Sequence, residues 1–169
     1  MEEKLIAFLD YLKKEYQYSS NTIAAYRNDL SQFLKFLART QAEDVQSWDD
    51  VEAHHVDAYV DFMKAKSYAS SSVARKVAAV KSFFNYLFAR GTTATNPTTK
   101  IESPKVKKRL PQTLTADEIE RLLEAPTQKK TPKNLRDTAL LNMLYATGMR
   151  VTEVVSLQVD DIDLENELL

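Results

Sequence analysis

The sequence predicts a mainly α-helical protein. Glycine, which favours turns, occurs only twice in the 169 residues, at Gly91 and Gly148. Apolar residues recur at intervals of three and four over most of the chain, which is the spacing of helices with one buried face. Ser, Thr and Asn, which are preferred at helix N-caps, precede several of these stretches. These three observations indicate helices joined by short loops.

The first half of the chain is expected to hold four helices that pack as a bundle. Ser19 to Asn21 supply N-cap chemistry for the second helix, Ser70 to Ser72 supply it for the fourth, and Gly91 is suited to ending the fourth. In the polar loop before the third helix, Ser47 and Asp50 resemble a capping box. The first helix is expected at about residues 2–16, and the second lies between the caps at 19–21 and the loop at 40–50. The third is expected at about residues 53–66 and the fourth at about 70–89.

A different composition follows Gly91. Residues 92–112 hold three of the five prolines, several threonines and a basic cluster, without apolar periodicity, and they predict an extended linker. The predicted division of the chain therefore has three parts: residues 1–91, the linker 92–112 and residues 113–169. The last part buries too little apolar surface for a finished domain, which predicts that the chain is a fragment.

The last part is expected to be mostly helical. Thr115 and Glu118 form a capping box for a helix that ends near residue 124. Another helix is expected over about residues 135–146, with Gly148 as its stop, followed by one from Arg150 to Leu157. Residues 159–169 alternate imperfectly between apolar and polar and are expected to start a strand.

Charge is distributed unevenly along the chain, although the net charge is only −1. Residues 1–63 hold six Lys and Arg against twelve Asp and Glu, and residues 110–169 hold six against eleven. Residues 64–109 hold eleven basic residues against Glu102 alone. Such a block attracts polyanions, of which phosphate backbones are the commonest. The alternative is a solvated helix face followed by a charged linker.

Several classes of protein are excluded or disfavoured. The absence of cysteine excludes disulfides and thiolate metal sites. His54 and His55 are adjacent and make a poor metal pair on a helix, so surface or core roles are expected, with no metal and no cofactor. The sequence has no apolar run of about 18 residues and no signal-peptide pattern at its start. A cytoplasmic protein with no membrane association is therefore expected.

Two helix starts carry the residue types that bind a DNA backbone. Arg and Lys supply charge, Ser and Thr supply short donors, and a helix N-terminus supplies unpaired N–H groups. Ordinary capping with solvated faces explains each helix alone, but the two together beside a basic linker favour DNA. The candidate DNA-binding residues are Ser20, Asn21, Thr22, Tyr26 and Arg27 in the second helix, Ser70, Ser71, Ser72, Arg75, Lys76 and Lys81 at non-core positions of the fourth, and Lys105, Lys107, Lys108 and Arg109 in the linker.

The segment from Thr147 to Glu153 is the most specific local pattern. Gly148 permits a left-handed backbone after a helix, and Arg150 then begins a new helix. There the local backbone dipole and the guanidinium can address one anion together, and Glu153, one turn later, can orient Arg150. The alternative is a surface salt bridge between Arg150 and Glu153.

These patterns together resemble the tyrosine recombinases, the phage-integrase family. Thr147-Gly148-Met149-Arg150-x-x-Glu153, followed by Leu157 and residues 160–163, resembles the family's first-arginine box. The upstream segments resemble its N-terminal core-binding domain and interdomain linker in the same order, and the nearest subgroup resembles the bacterial Xer recombinases. These segments are Asn21-Thr22 with residues 25–30, Ala74-Arg75-Lys76 through residues 81–87, Asn96-Pro97, Pro104-Lys105 and Leu110-Pro111.

The resemblance implies a fold and a reaction. It implies a four-helix, SAM-like core-binding domain, a linker and the mostly helical start of a catalytic domain, which together clamp double-stranded DNA. At the position of Arg150 the family has an arginine that contacts the scissile phosphate, where a fixed guanidinium stabilises developing charge. The family cleaves DNA with a tyrosine through a 3′-phosphotyrosyl link, without metal or ATP, and its members act as homo- or hetero-tetramers. For the Xer subgroup it implies resolution of chromosome dimers and an accessory translocase as a further partner.

The chain departs from the family in what it lacks. The second-arginine box, the hairpin lysine and the nucleophilic tyrosine lie downstream of the first-arginine box in relatives. None of the eight tyrosines is therefore interpreted as the nucleophile, and Tyr26 and Tyr86 are expected to be core or DNA-facing aromatics. The chain is expected to bind DNA without cleaving it. The alternatives are a non-catalytic regulator of recombination, an integrase of a mobile element, and a helical interaction bundle with no role on nucleic acid.

Overall fold

The computed structural model describes residues 1–40, 44–102, 112–163 and 166. The described residues form helices and 3₁₀ turns and contain no extended strand, in agreement with the predicted fold class. The chain divides into two compact units, residues 1–108 and 109–169. No helix in the described part is long and apolar enough to cross a membrane. The helices are α1 (Glu2–Glu15), α2 (Ser20–Thr40), α3 (Ala53–Ala65), α4 (Ser70–Ala89), α5 (Ala116–Glu124), α6 (Pro132–Thr147) and α7 (Val151–Ser156).

The first unit is a bundle of α1 to α4 around one apolar core. Each helix contributes the stripe that its sequence predicts, and the aromatic side chains of Phe33, Phe83 and Phe84 are fully buried where α2 and α4 face each other. The Trp48 ring stacks edge-on against Phe83 at a centroid distance of 4.8 Å. Its indole Nε1 donates to the Met1 carbonyl at 2.8 Å, so the loop before α3 is fixed to the start of α1.

The capping of α3 differs from the prediction, although the helix begins at the predicted residue. The Asp50 carboxylate accepts from the backbone N–H groups of Ser47 and Gln46 at 2.7 and 3.1 Å, which closes a turn inside the loop. These hydrogen bonds lower the pKa of Asp50. The helix begins at Ala53, where the Glu52 backbone N–H donates to His55 Nδ1 at 2.9 Å. The Ser47–Asp50 pair therefore shapes the loop and does not cap the helix.

Residues 92–102 differ from the expected extended linker because they pack on the bundle. The Ala94 backbone N–H donates to Asp49 Oδ1 at 2.8 Å, and Asn96 Nδ2 donates to Asn85 Oδ1 on α4 at 2.7 Å. Ile101 is buried in the core of the first unit. Hydrogen bonds from Asn and Thr side chains hold this segment in a series of turns. Such turns leave no periodic pattern of apolar residues in the sequence.

The second unit begins with the predicted capping box. The Thr115 backbone N–H donates to Glu118 Oε2 at 2.8 Å, and the Glu118 backbone N–H donates to Thr115 Oγ1 at 3.3 Å. The next helix, α6, starts three residues earlier than predicted, with Pro132 in its first turn. Val154 is the one buried apolar side chain among the described residues of this unit.

Residues 159–163 do not form the expected strand. A 3₁₀ turn covers Val159–Asp161, and Asp163 forms a single isolated bridge. The Gln158 backbone N–H donates to Asp161 Oδ2 at 2.8 Å, so an acidic side chain caps the turn. The alternation in the sequence is short, and local side-chain capping of this kind favours a turn over a strand.

Candidate nucleic-acid interface

The first turns of α2 present most of the predicted contacts of that helix to solvent. Ser20, Asn21 and Arg27 are exposed, whereas Thr22 and Tyr26 are half-buried. Ser19, one residue before the helix, accepts a hydrogen bond from the Thr22 backbone N–H at 3.2 Å and caps the helix.

The first turns of α4 present a similar set. Ser70 and Ser71 are exposed, while Ser72 and Lys81 are half-buried. The Arg75 side chain is 52% exposed. Ser, Arg and Lys at the start of a helix supply short donors and charge at one place.

Helices α2 and α4 border a groove that is lined by candidate DNA-binding residues of both helices. Its lining includes the short side chains of Ala25, Ala78 and Ala79. The groove is lined by Asn21, Thr22, Ala25, Tyr26, Asp29, Arg75, Ala78 and Ala79. A second, more polar groove lies on the other side of Arg75 and is lined by Asn28, Ser31, Gln32, Lys35, Tyr68, Ser72, Arg75 and Lys76.

Lys76 was expected at a non-core position, and that expectation is wrong. Its side chain is buried, and its Nζ donates to Asp29 Oδ1 at 2.9 Å. The Lys76 ammonium also lies 5.9 Å from the centroid of the Tyr68 ring. The Asp29 carboxylate, only 1% exposed, attracts this ammonium inward, because a buried carboxylate requires a close positive partner.

Asp29 was not predicted as a functional residue, although the sequence contains a signal for it. It stands three residues after Tyr26 and four before Phe33, within the apolar stripe of α2, where a carboxylate is out of place. Besides Lys76, it also accepts a hydrogen bond from Arg75 Nη1. Asp29 therefore joins the middle of α2 to the first turns of α4.

The Tyr59 hydroxyl lies near this ion-pair cluster. Burial raises the pKa of Tyr59, and the nearby charge of Asp29 raises it further. The Tyr59 hydroxyl donates to Gln32 Oε1 at 3.5 Å, and Gln32 Nε2 donates to the Tyr68 hydroxyl at 2.6 Å. Tyr59 is therefore a buried core residue in its neutral form.

The remaining tyrosines of the first unit form an aromatic cluster at the other end of α4. The Arg90 guanidinium lies 5.3 Å from the Tyr11 ring and 5.2 Å from the Tyr86 ring. Tyr26 and Tyr86 pack partly buried against the core, with Phe8 between them, which agrees with a core role. The predicted linker contacts Lys105, Lys107, Lys108 and Arg109 lie outside the described residues.

Arg150 and Glu153 come together in the second unit. Gly148 adopts φ +66° and ψ +15° and ends α6, after which Arg150 stands at the N-cap of α7. Glu153 Oε2 accepts from the Arg150 backbone N–H at 2.7 Å, and Oε1 accepts from Arg150 Nη1 at 3.0 Å. These hydrogen bonds lower the pKa of Glu153, the backbone one most. The Arg150 side chain is 82% exposed, so the pair lies at the surface of the described part of this unit.

The described residues hold no group of three or more His, Asp and Glu that is suited to a metal ion. His54 is exposed, whereas His55 is buried at the start of α3. Burial lowers the pKa of His55, and the neighbouring His54 lowers it further. The two histidines therefore occupy the surface and core positions expected of them.

Comparison with known proteins gives matches over both units. The family model "Phage integrase, N-terminal SAM-like domain" matches residues 5–91, and "Phage integrase family" matches residues 112–169. Tyrosine recombinase XerC of Roseiflexus castenholzii is 48% identical over 98% of this chain and 52% of its own length. Tyrosine recombinase XerD of Listeria innocua is 38% identical over 98% of this chain and 54% of its own length. A solved structure, described as the crystal structure of XerA recombinase, is 28% identical with a TM-score of 0.47 and covers 98% of this chain and 53% of that chain. The chain spans about half the length of the curated relatives that it matches.

Proposed function

The chain belongs to the phage integrase family, and on that premise we propose that a protein containing it carries out site-specific recombination of DNA. Its relatives include proteins described as tyrosine recombinases XerC and XerD. We assign it to the same Xer type, with resolution of chromosome dimers as the biological reaction. In this account the first unit binds duplex DNA and the second unit contributes an arginine to the reacting phosphate.

One observation carries the proposal for the first unit. The first turns of α2 and α4 meet at a groove whose rim combines hydroxyl, amide and guanidinium groups from Asn21, Thr22 and Arg75. Part of the lining consists of short side chains, those of Ala25, Ala78 and Ala79. Ser20 and Arg27, the other exposed members of the set on α2, lie outside the lining of this groove. Arg27 lines a separate groove with Leu5 and Ile6 of α1, and it is proposed as a further contact. Short donors and cations are the groups that proteins direct at DNA, both at its backbone and at its base edges.

Arg150 supports the proposal for the second unit. Its guanidinium is exposed, and one of its nitrogens is held by Glu153. A guanidinium fixed in this way can stabilise charge that develops on the non-bridging oxygens of a phosphate. The Glu153 carboxylate also accepts from the Arg150 backbone N–H, so it fixes both the backbone and the side chain of the arginine.

Cleavage is assigned to residues other than the eight tyrosines of this chain. Seven of these tyrosines lie in the first unit, and Tyr145 lies on α6 with its side chain exposed. The proposed partners are a recombination site in double-stranded DNA and further recombinase subunits in a homo- or hetero-tetramer. An accessory translocase is a further partner of the Xer-type reaction.

A salt titration tests the proposed DNA contact of the first unit. Fluorescence anisotropy with a labelled duplex should show affinity that falls as salt rises, because each neutralised phosphate releases counterions and contributes about 0.9 to the slope of log affinity against log salt. Removing one phosphate contact by Arg27→Ala should lower the steepness by about 0.9. Lys13→Ala on α1 removes the same charge elsewhere on the first unit and should leave the slope nearly unchanged.

Two outcomes would contradict this assignment. Affinity that does not weaken with salt would rule out binding driven by phosphate contacts. Equal slopes of log affinity against log salt for Arg27→Ala and Lys13→Ala would show that the effect of a lost positive charge does not depend on its position on the first unit.

A nicked suicide duplex tests the assignment of cleavage. The chain should bind such a duplex and form no covalent adduct, since no tyrosine in it is assigned as the nucleophile. An adduct that survives denaturing electrophoresis would overturn this part of the proposal.

A further inference from the structure

Asp29 is a buried carboxylate that holds two cations of different kinds. Its side chain is 2% exposed, and it lies between Lys76, whose side chain is 6% exposed, and Arg75, whose side chain is 52% exposed. Oδ1 accepts from Lys76 Nζ at 2.9 Å, and Oδ2 accepts from Arg75 Nη1. One carboxylate thus fixes a cation inside the bundle and another at its surface.

The two cations have separable roles. The buried Lys76 neutralises Asp29 and lies in contact with it away from solvent, so charge compensation is already provided inside the bundle. Arg75 adds a second hydrogen bond to the carboxylate, but half of its side chain remains accessible. The carboxylate therefore restricts the orientation of the Arg75 guanidinium while its outer face stays available to a ligand.

Arg75 occupies a central place on the proposed DNA surface. It lines both grooves beside α4, the one that includes Ala25 and Ala78 and the more polar one that includes Asn28 and Ser72. Ala25 and Ala78 are exposed beside it, and their short side chains present little steric barrier to a base edge that approaches the guanidinium. A guanidinium held in one orientation is suited to a partner that offers two acceptors in one plane.

We propose that Arg75 reads a guanine in the major groove and that Asp29 is its positioning residue. This inference rests on the proposed function of the first unit as a DNA-binding domain. A guanidinium that presents two parallel N–H groups matches guanine O6 and N7, and the match requires the guanidinium plane to be held in the plane of the base. The Asp29 carboxylate supplies that constraint from inside the bundle, through the hydrogen bond to Nη1.

Selection of bound sites from a randomised duplex library tests the proposal with the whole chain. The wild-type chain should enrich sites with a G·C pair at one fixed position, and changing that pair should weaken binding about 5- to 150-fold. Arg75→Ala and Arg75→Lys should both reduce this discrimination to near unity. Because lysine keeps the charge and loses the fork, Arg75→Lys separates base reading from phosphate attraction.

The direction in which Asp29→Asn changes the affinity for DNA tests the role of Asp29. Asp29→Asn removes a negative charge, so electrostatic attraction alone predicts tighter binding to DNA. Positioning predicts the opposite for the selected site, with loss of the guanine preference and little change in the salt slope. The double variant Asp29→Asn/Lys76→Met removes both buried charges, which avoids an unpaired ammonium in the core, and should lose the preference while Arg75 is still present. Thermal unfolding followed by circular dichroism identifies the variants that are folded.

The outcomes separate this inference from the proposed function. A wild-type chain that binds no duplex DNA refutes the proposed function itself. A chain that binds DNA but shows no G·C preference dependent on Arg75 overturns the guanine assignment. The same holds if Arg75→Ala lowers the salt slope by about 0.9 and leaves base preference intact, since Arg75 would then contact phosphate. Full preference in a folded Asp29→Asn/Lys76→Met variant overturns the role of Asp29.

Discussion

Glu153 is the residue that fixes Arg150 in the described part of the second unit. Its carboxylate accepts hydrogen bonds from the Arg150 backbone N–H at 2.7 Å and from Nη1 at 3.0 Å. Both hydrogen bonds require the carboxylate to be ionised for full strength. The protonation state of Glu153 therefore controls how firmly Arg150 is held at the start of α7.

The position of Arg150 should depend on pH at the acid end. The folded structure lowers the pKa of Glu153, so the stabilisation is complete above the ordinary glutamate pKa and is lost as pH falls through the lowered value. The amide resonance of Arg150, followed by NMR, should shift with a midpoint below the ordinary glutamate range. Glu153→Gln should remove this transition, and an Arg150 amide that titrates unchanged in that variant would contradict the assignment.

Residue roles were predictable from the sequence only where the partners are close along the chain. Spacing of three residues predicted that Arg150 and Glu153 meet, and the structure confirms it. Lys76 was placed outside the core because charged residues beside an apolar stripe usually face solvent. Its partner Asp29 lies 47 residues away, and no local periodicity contains that contact.

Four helices in the described part of the chain are followed by a residue with a left-handed backbone. Gly91 and Gly148 both adopt left-handed backbones, at φ +62° and +66°, and end α4 and α6. The same conformation occurs without glycine at Gln17 and Ser67, after α1 and α3, at φ +52° and +57°. At Ser67 the Tyr68 backbone N–H donates to the Met63 carbonyl at 3.1 Å, which completes the cap.

Substitutions at two of these caps should have opposite effects on stability. Gly91→Ala forces an L side chain into the left-handed region and should destabilise the first unit by about 1 kcal/mol. An added Cβ at Gly91 meets nothing within 4 Å, so the cost is conformational. Ser67→Gly relieves the same strain and should stabilise the unit by up to about 1 kcal/mol.

Urea unfolding of both variants, followed at the transition of the first unit, measures this difference in the free energy of unfolding. Gly91→Asn is the matched control, because asparagine tolerates the left-handed region, and it should cost less than Gly91→Ala. Destabilisation by Ser67→Gly as large as that by Gly91→Ala would contradict the backbone account.

Element positions were predicted better than element caps. The apolar stripes placed α1, α3 and α4 within one or two residues of their observed ends, because burial of one helix face dominates their stability. The cap of α3 was assigned to Ser47 and Asp50, whereas the Asp50 carboxylate closes a loop turn. The residues Gln17 and Ser67 gave no sign of their left-handed conformation, since neither is glycine.

At the scale of the molecule, the chain is two compact units with an uneven charge distribution. The sequence predicts a basic block at residues 64–109. In the structure, two of its basic residues are paired with one buried carboxylate. Lys76 is neutralised inside the bundle, and Arg75 is shared with Asp29. The segment 92–102 was expected to be part of a linker, but it packs on the first unit through Asn96 and Ile101. The sequence did not predict this packing because side-chain hydrogen bonds in turns, and not a repeat of apolar residues, fold the segment.

The central claim is that the first unit holds duplex DNA at the groove between α2 and α4. The most direct test is to map amide chemical-shift changes by NMR as a duplex is added to the whole chain. The largest changes should fall on the first turns of α2 and α4, including Asn21, Thr22 and Arg75, and should weaken as salt is raised. Changes concentrated on α1 and α3, with the α2 and α4 starts unaffected, would contradict the account.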